Sequence, residues 1–110
     1  MTTAMRSKFE RRAKIVKALA HPTRLFIVDH LSRQEKCVQE LTKMVGVDIS
    51  TVSKHLAILK KAGILMDEKR GLQVCYRLRM PCTKDFLACM DKMSTAGKYP
   101  KGRQKCSAKE

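Results

Sequence analysis

The chain has 110 residues, enough for one domain built around a single hydrophobic core. Its 24 lysine and arginine residues outnumber 10 acidic residues, and the formal net charge of +14 favours a polyanionic partner such as nucleic acid. The sequence contains no apolar run typical of a secretory signal or a membrane span, so we expect a cytoplasmic protein that has no membrane partner.

Apolar periodicity predicts two helices in the first third of the chain. The first, over about residues 6 to 20, is predicted from apolar residues at steps of four, three and four: Phe9, Ala13, Val16 and Ala20. The second begins near Pro22, whose missing N–H would be unpaired in a first helical turn anyway. Its buried stripe is predicted to be Leu25, Val28 and Leu31.

Two further helices, the first of them short, are predicted on either side of the turn VGVD. The third helix carries an apolar stripe of Val38, Leu41 and Val45, and Gly46 can end it in a left-handed conformation. Asp48 is suited to cap the fourth helix, which ends at Gly63. The inward residues of that helix are Val52, Leu56 and Leu59. This spacing is typical of a helix-turn-helix.

A hairpin and a closing helix are predicted beyond Gly63. The strands are ILM and LQVCYRLR, joined by the charged turn DEKRG. In the second strand Leu72, Val74, Tyr76 and Leu78 form an apolar face, so Cys75 is expected to point away from the core. Pro81 ends this strand, and a helix is predicted from about Thr83 to Ser94. We therefore expect a domain of residues 1–96, followed by a basic, disordered tail of residues 97–110.

The predicted nucleic-acid contacts lie on the fourth helix and the hairpin. The residues of the helix that face away from its apolar stripe are Ser50, Thr51, Ser53, Lys54 and His55. Short hydroxyls and cations at a helix N-terminus suit a reader of the major groove. A solvated face would have the same composition, but the hairpin tip, with Lys69 and Arg70, is predicted to lie beside this helix and touch the DNA backbone.

The order of elements and three segments resemble the ArsR/SmtB family of winged-helix repressors over residues 8 to about 95. The segments are KALAHPTRLFIVDHL, CVQELTKMVGVDISTVSKHLAILKKAGIL and EKRGLQVCYRLR. The resemblance implies a mainly α fold with a small β-hairpin, in the order α-α-α-α-β-β-α. It also implies a homodimer, joined through the first and last helices, that releases operator DNA when a metal or metalloid ion binds or when thiols are oxidised. By the same resemblance Ser50, Thr51, Ser53, Lys54 and His55 would read DNA, with Lys69 and Arg70 on the wing.

The closing helix supports a dimer independently of the resemblance. Its apolar residues recur at steps of four, three and four and lie beyond an otherwise complete domain: Cys82, Phe86, Cys89 and Met93. A partner subunit would bury this stripe.

Five cysteines in a reducing compartment are expected not to form permanent disulfides. Arsenic-sensing relatives open the third helix with a Cys-X-Cys box, whereas this chain has Cys37 and then Gln39, whose amide is a poor ligand for a soft ion. The Asp and His ligands that other members use for zinc or nickel at the closing helix are missing. We therefore hypothesise that As(III) is the effector, bound by Cys82 and Cys89 with Cys37 or Cys75 as the third ligand.

Distance limits this site, because two residues seven apart in a straight helix are separated by roughly 10 Å. Thiolates that share one ion lie within about 4 Å of each other. Cys82 would therefore have to fold back, or meet Cys89 of a second subunit. Cys82 and Cys89 could also be small apolar residues of a dimer interface, and Cys106 in the tail is expected to be dispensable.

Two alternatives share part of this interpretation. A thiol-redox or persulfide sensor of the same fold would release DNA when two cysteines are joined. An architectural or RNA-binding protein would need no effector, but only three Phe and two Tyr are available for base stacking. An enzyme, an organic cofactor and a small-molecule substrate are not expected, because the sequence has no phosphate-binding glycine motif and no C-x-x-C pair.

Overall fold

The computed structural model describes residues 1–95. This part of the chain forms five helices and one small antiparallel sheet, with these bounds: α1 Thr3–Leu19, α2 Pro22–Leu31, β1 Lys36–Cys37, α3 Val38–Val45, α4 Ile49–Lys61, β2 Leu65–Arg70, β3 Gln73–Leu78 and α5 Thr83–Thr95. The predicted order is confirmed, with the short strand β1 as an addition. The predicted tail, residues 97–110, lies outside the described residues.

Local capping fixes where three of the helices begin. Thr2 accepts a hydrogen bond from the Met5 N–H at 3.1 Å, so α1 starts three residues earlier than the periodicity predicted. At α2 the Nδ1 atom of His21 accepts from the Thr23 N–H at 3.1 Å, and Pro22 occupies the first turn as expected. Asp48 caps α4 as predicted.

The helix-turn-helix is formed by α3 and α4, which pack on α2. Gly46 ends α3 with a φ of 84°, the left-handed conformation that a glycine adopts without a steric penalty. The fully buried side chains come from α2, α3 and α4: Ile27, Val28, Leu41, Val52, Leu56 and Leu59. These buried side chains therefore fix α3 and α4 against α2.

The sheet has the strand order β1-β3-β2, and both pairings are antiparallel. The predicted charged turn is wrong, because Asp67 to Arg70 belong to β2, and Gly71 and Leu72 alone make the turn. Gly71 has a φ of 64°, as the first residue of a two-residue hairpin turn requires. Leu72 is fully exposed at the hairpin tip, so it is not part of the apolar face of β3.

The predicted apolar stripes of α1 and α5 are not buried within the described part of the chain. Phe9, Val16, Phe86 and Met93 are between 46% and 68% exposed. We refer to these four residues, with Cys82 and Cys89, as the α1–α5 face. No helix within residues 1–95 combines the length and apolar character needed to cross a bilayer.

Candidate nucleic-acid interface and cysteine pair

The N-terminus of α4 is organised around the Asp48 carboxylate. It accepts hydrogen bonds from the Thr51 N–H at 3.1 Å and the Thr51 hydroxyl at 2.8 Å, and it also accepts from the Ser50 hydroxyl. The hydrogen bonds from Ser50 and Thr51 lower the pKa of Asp48 to about 2. The hydroxyl protons of Ser50 and Thr51 are thus used to build the helix end, which leaves their oxygens available as acceptors.

The other three predicted residues of α4 differ in their environments. Ser53 and Lys54 are exposed on the outer surface of the helix. His55 is half-buried against α2: its Nδ1 accepts from Arg24 Nε at 3.1 Å, and its ring centroid lies 4.5 Å from that of His21. Burial, followed by the nearby His21 and Arg24 charges, lowers the pKa of His55. A neutral His55 therefore accepts a hydrogen bond from Arg24. The periodicity of α4 places His55 on the outward face of the helix and does not predict this contact.

The two predicted wing cations also differ. Lys69 is exposed near the end of β2. Arg70 donates from Nη2 to Glu35 at 2.7 Å and to Glu68 at 3.0 Å, and these two carboxylates raise its pKa. Arg77 Nη1 lies 3.9 Å from Glu35 and 4.0 Å from Glu68. Arg70, close to the hairpin tip, thus belongs to a balanced ionic cluster with Arg77, Glu35 and Glu68, so Lys69 is the more accessible cation of the wing.

Cys37 and Cys75 are joined by a disulfide, which contradicts the expectation of free thiols for these two residues. They lie directly opposite each other in the β1–β3 pairing, with 3.7 Å between their Cα atoms. Cys75 is on the polar face with Arg77, as predicted, but it is buried rather than exposed. The reason is β1, a two-residue strand that pairs with β3 next to Cys75 and gives no periodic signal in the sequence.

Cys82 and Cys89 lie apart from this pair, just before α5 and in the middle of α5, and both are exposed thiols. Cys82 lines an apolar groove of about 320 Å³ between α1 and α5, together with Val16 and Phe86. Within residues 1–95 of one subunit, no group of three or more Cys, His, Asp or Glu side chains is placed to hold a metal ion. The four predicted ligands are therefore brought together only as the Cys37–Cys75 pair.

Comparison with known proteins identifies the family. The family described as bacterial regulatory protein, arsR family, matches residues 21–66. The HTH-type transcriptional regulator Rv0081 of Mycobacterium tuberculosis is 30% identical over 86 residues, which are 77% of this chain and 75% of that protein. The chain belongs to the ArsR family. The crystal structure of Rv0081 has a TM-score of 0.73 and 29% identity, and the match covers 81% of this chain and 90% of that one.

Two named regulators are more similar over a shorter stretch. The HTH-type transcriptional repressor SmtB of M. tuberculosis is 43% identical over 65 residues, 59% of this chain and 48% of that protein. The arsenic resistance transcriptional regulator ArsR1 of Pseudomonas putida is 43% identical over 65 residues, 58% of this chain and 51% of that protein. The match thus spans about half the length of these two relatives. The match to a family of bacterial regulatory proteins agrees with the prediction that the chain is not an enzyme.

Proposed function

We propose that this ArsR-family chain is a homodimeric transcriptional repressor that binds operator DNA through the N-terminal half of α4 and the β2–β3 wing. The observation that carries the proposal is the outer surface of α4, where Ser53 and Lys54 are exposed on a helix fixed from beneath by buried Val52 and Leu56. A rigid helix with hydroxyls and a cation at its N-terminal end suits the major groove. The wing then offers Lys69 to the backbone.

The α1–α5 face supports the dimer. Phe86 and Met93 extend along one side of α5 next to the apolar groove, and Phe9 and Val16 extend along α1. Large apolar side chains that are about half exposed on two neighbouring helices are typical of a surface that another protein covers. A second copy would bury both stripes at once and set the distance between two α4 helices, as binding to two half-sites requires.

The effector that the geometry supports best is an oxidant acting on Cys37 and Cys75. A thiolate of the pair attacks hydrogen peroxide to give a sulfenic acid and, after proton uptake, water, and the second thiol then displaces the new hydroxyl as a second water. Two protons and two electrons leave the thiols, and the peroxide is reduced.

The resulting bond connects the start of α3 to a strand of the wing. Cys37 is the residue before the first helical residue of α3, and Cys75 is in the middle of β3. Strand β3 belongs to the wing, and α3 packs against α4, which is the other part of the proposed DNA-binding surface. We therefore expect the reduced protein to bind its operator and the oxidised protein to release it.

As(III) is the second candidate, favoured by the similarity to an arsenic resistance regulator and by the thiophilic character of the ion. Cys37 and Cys75, when reduced, would supply two sulfur ligands. A third would come from outside the described part of one subunit, and Cys82 or Cys89 of a second copy fits the exposed position of both thiols. As(III) and an oxidant therefore compete for the same reduced pair.

Operator binding measured by fluorescence anisotropy tests the proposal. The probe is a palindromic duplex from the DNA upstream of the protein's own coding sequence, and random duplex of equal length is the control. We expect preferential binding by the reduced protein, release on adding hydrogen peroxide, and loss of that release in Cys37→Ser and Cys75→Ser. If arsenite but not peroxide releases the DNA, As(III) is the effector. Equal affinity for both duplexes would contradict the repressor function.

A further inference from the structure

A basic pocket lies on the side of the molecule where α1, α2 and α4 meet. It has a volume of about 330 Å³ and is lined by Lys14, Lys17, Ala18, Arg24, Ile58, Lys61 and Ala62. Four of the seven lining residues are cations, and none is acidic. The cations come from three separate helices, so the tertiary fold, and not a run of lysines in the sequence, brings them together.

The charges in this pocket are uncompensated, in contrast to other cations of the protein. Lys60, next to Lys61 in sequence, pairs with Asp67 at 2.9 Å, and Arg33 pairs with Asp29 at 3.1 Å. Within residues 1–95, the four pocket cations have no such acidic partner. Grouping like charges around a cavity is unfavourable, and an anion within it removes that cost.

Arg24 is fixed in place at one wall of the pocket. Its Nε donates to His55 Nδ1 at 3.1 Å, and its Nη1 donates to the Ala18 carbonyl at 3.2 Å. These two bonds hold the planar guanidinium in one orientation and leave other N–H groups for a ligand. A planar group with several donors is suited to phosphate oxygens.

We propose that this pocket binds a phosphate of the DNA backbone and so forms a third contact with the operator, besides α4 and the wing. The ligand is a phosphate because the pocket offers a fixed guanidinium and three ammonium groups. The source is DNA because Lys54, Ile58 and Lys61 lie at steps of four and three on one stripe of α4. The pocket thus continues the surface that carries Lys54, about 10 Å further along the helix.

The inference rests on the proposed DNA-binding function, and the experiment separates the two. Operator affinity is measured across a range of salt concentrations for the wild type and for the double variant Lys14→Gln/Lys17→Gln. Both lysines are exposed, and neither belongs to the buried core. Each backbone contact that is lost reduces the steepness of log K against log salt by about 1. We expect a loss of about 1 to 2 in slope, with the same weakening on operator and random duplex.

Two control variants make the result specific. Lys8→Gln/Lys92→Gln removes the same charge from exposed positions outside the pocket and is expected to leave the slope unchanged. Lys14→Arg/Lys17→Arg keeps both cations and is expected to retain the wild-type slope. If the pocket variant and the charge-matched control have the same slope while the wild type still prefers its operator, the third contact is wrong and the repressor function stands.

A second measurement distinguishes DNA phosphate from a free phosphate compound. Inorganic phosphate and pyrophosphate are titrated into the wild-type protein, with chemical shifts of the Lys17 and Arg24 amides as the readout. If the proposal is right, these chemical shifts change only at millimolar phosphate or pyrophosphate. The double variant Lys14→Gln/Lys17→Gln then still shows the reduced slope of log K against log salt. Tight binding of pyrophosphate together with an unchanged slope would overturn the DNA contact in favour of a small phosphorylated ligand.

Discussion

The helix-turn-helix with its wing and the α1–α5 face are two halves of this molecule that differ in how far their side chains are paired within the chain. In the helix-turn-helix and wing, Asp48 accepts from three donors of its own helix end, and Arg70 is paired with two carboxylates. On the α1–α5 face, Phe86 and Met93 are exposed and Cys82 and Cys89 are free thiols.

This difference indicates separate roles for the two halves. A surface whose charges and hydrogen bonds are already paired keeps its shape before a ligand arrives, as a DNA-reading element requires. A surface with unpaired apolar side chains gains stability when it is covered. Each of the following predictions alters a side chain in one of these two regions.

The largest effect is expected from breaking the Cys37–Cys75 bond. The bond closes a sequence separation of 38 residues, and the chain-entropy model gives about 4 kcal/mol of stabilisation for such a loop. Urea unfolding of the oxidised protein, with and without reductant, measures this difference. Cys37→Ser/Cys75→Ser should lose the dependence on reductant, and Cys82→Ser/Cys89→Ser should keep it. A wild-type unfolding midpoint that reductant does not move would contradict the pairing.

The next effect concerns the α1–α5 face. Phe86→Glu would place a carboxylate in the proposed dimer interface, at a cost of at least about 3 kcal/mol, or about 100-fold in the dimer constant. Sedimentation velocity should show a monomer, and operator affinity should fall in parallel. Ala88→Glu, an exposed residue on another side of α5, is the matched control and should remain dimeric. Dimeric Phe86→Glu would mean that a different surface joins the subunits.

The helix-turn-helix was predictable from the sequence because its determinants are local. Asp48 as a cap, Gly46 as a stop and Val52, Leu56 and Leu59 as a buried stripe all lie within one helical segment or its immediate flank. Periodicity reads such features directly. The exposed stripe of α5 was predictable for the same reason, since Phe86 and Met93 follow the helical repeat.

The contacts between distant segments were not predictable in this way. Strand β1 has two residues, too few for an alternating pattern, and it pairs with a strand 38 residues away in sequence. Cys75 was therefore placed on the correct face, but its burial was missed. His55 shows the same limit: its position on the helix is right, yet the contact with Arg24 depends on how α2 packs against α4.

A smaller effect is expected at the start of α4. Asp48→Ala removes the cap of the helix and should lower Tm by about 4 to 8 °C at neutral pH. The pKa of Asp48 is lowered to about 2 from a usual value of 3.8, so its stabilising contribution is present above pH 3.8 and is lost as pH falls toward 2. The Tm difference between wild type and variant, measured from pH 7 downward, should shrink in that window. A difference that persists at pH 2 would show that the carboxylate charge is not responsible.

The smallest effect is expected at His55, where the helix-turn-helix meets α2. Since the pKa of His55 is lowered in the folded protein, the unfolded chain binds more protons below its ordinary value of 6.5. Stability should therefore fall on acidification through pH 6.5, and this residue should contribute a small decrease of Tm between pH 7 and 5.5. His55→Gln should remove that part of the pH dependence, whereas His30→Gln, on the far side of α2, should retain it. An unchanged pH dependence in His55→Gln would mean that the Arg24 contact tolerates a protonated ring.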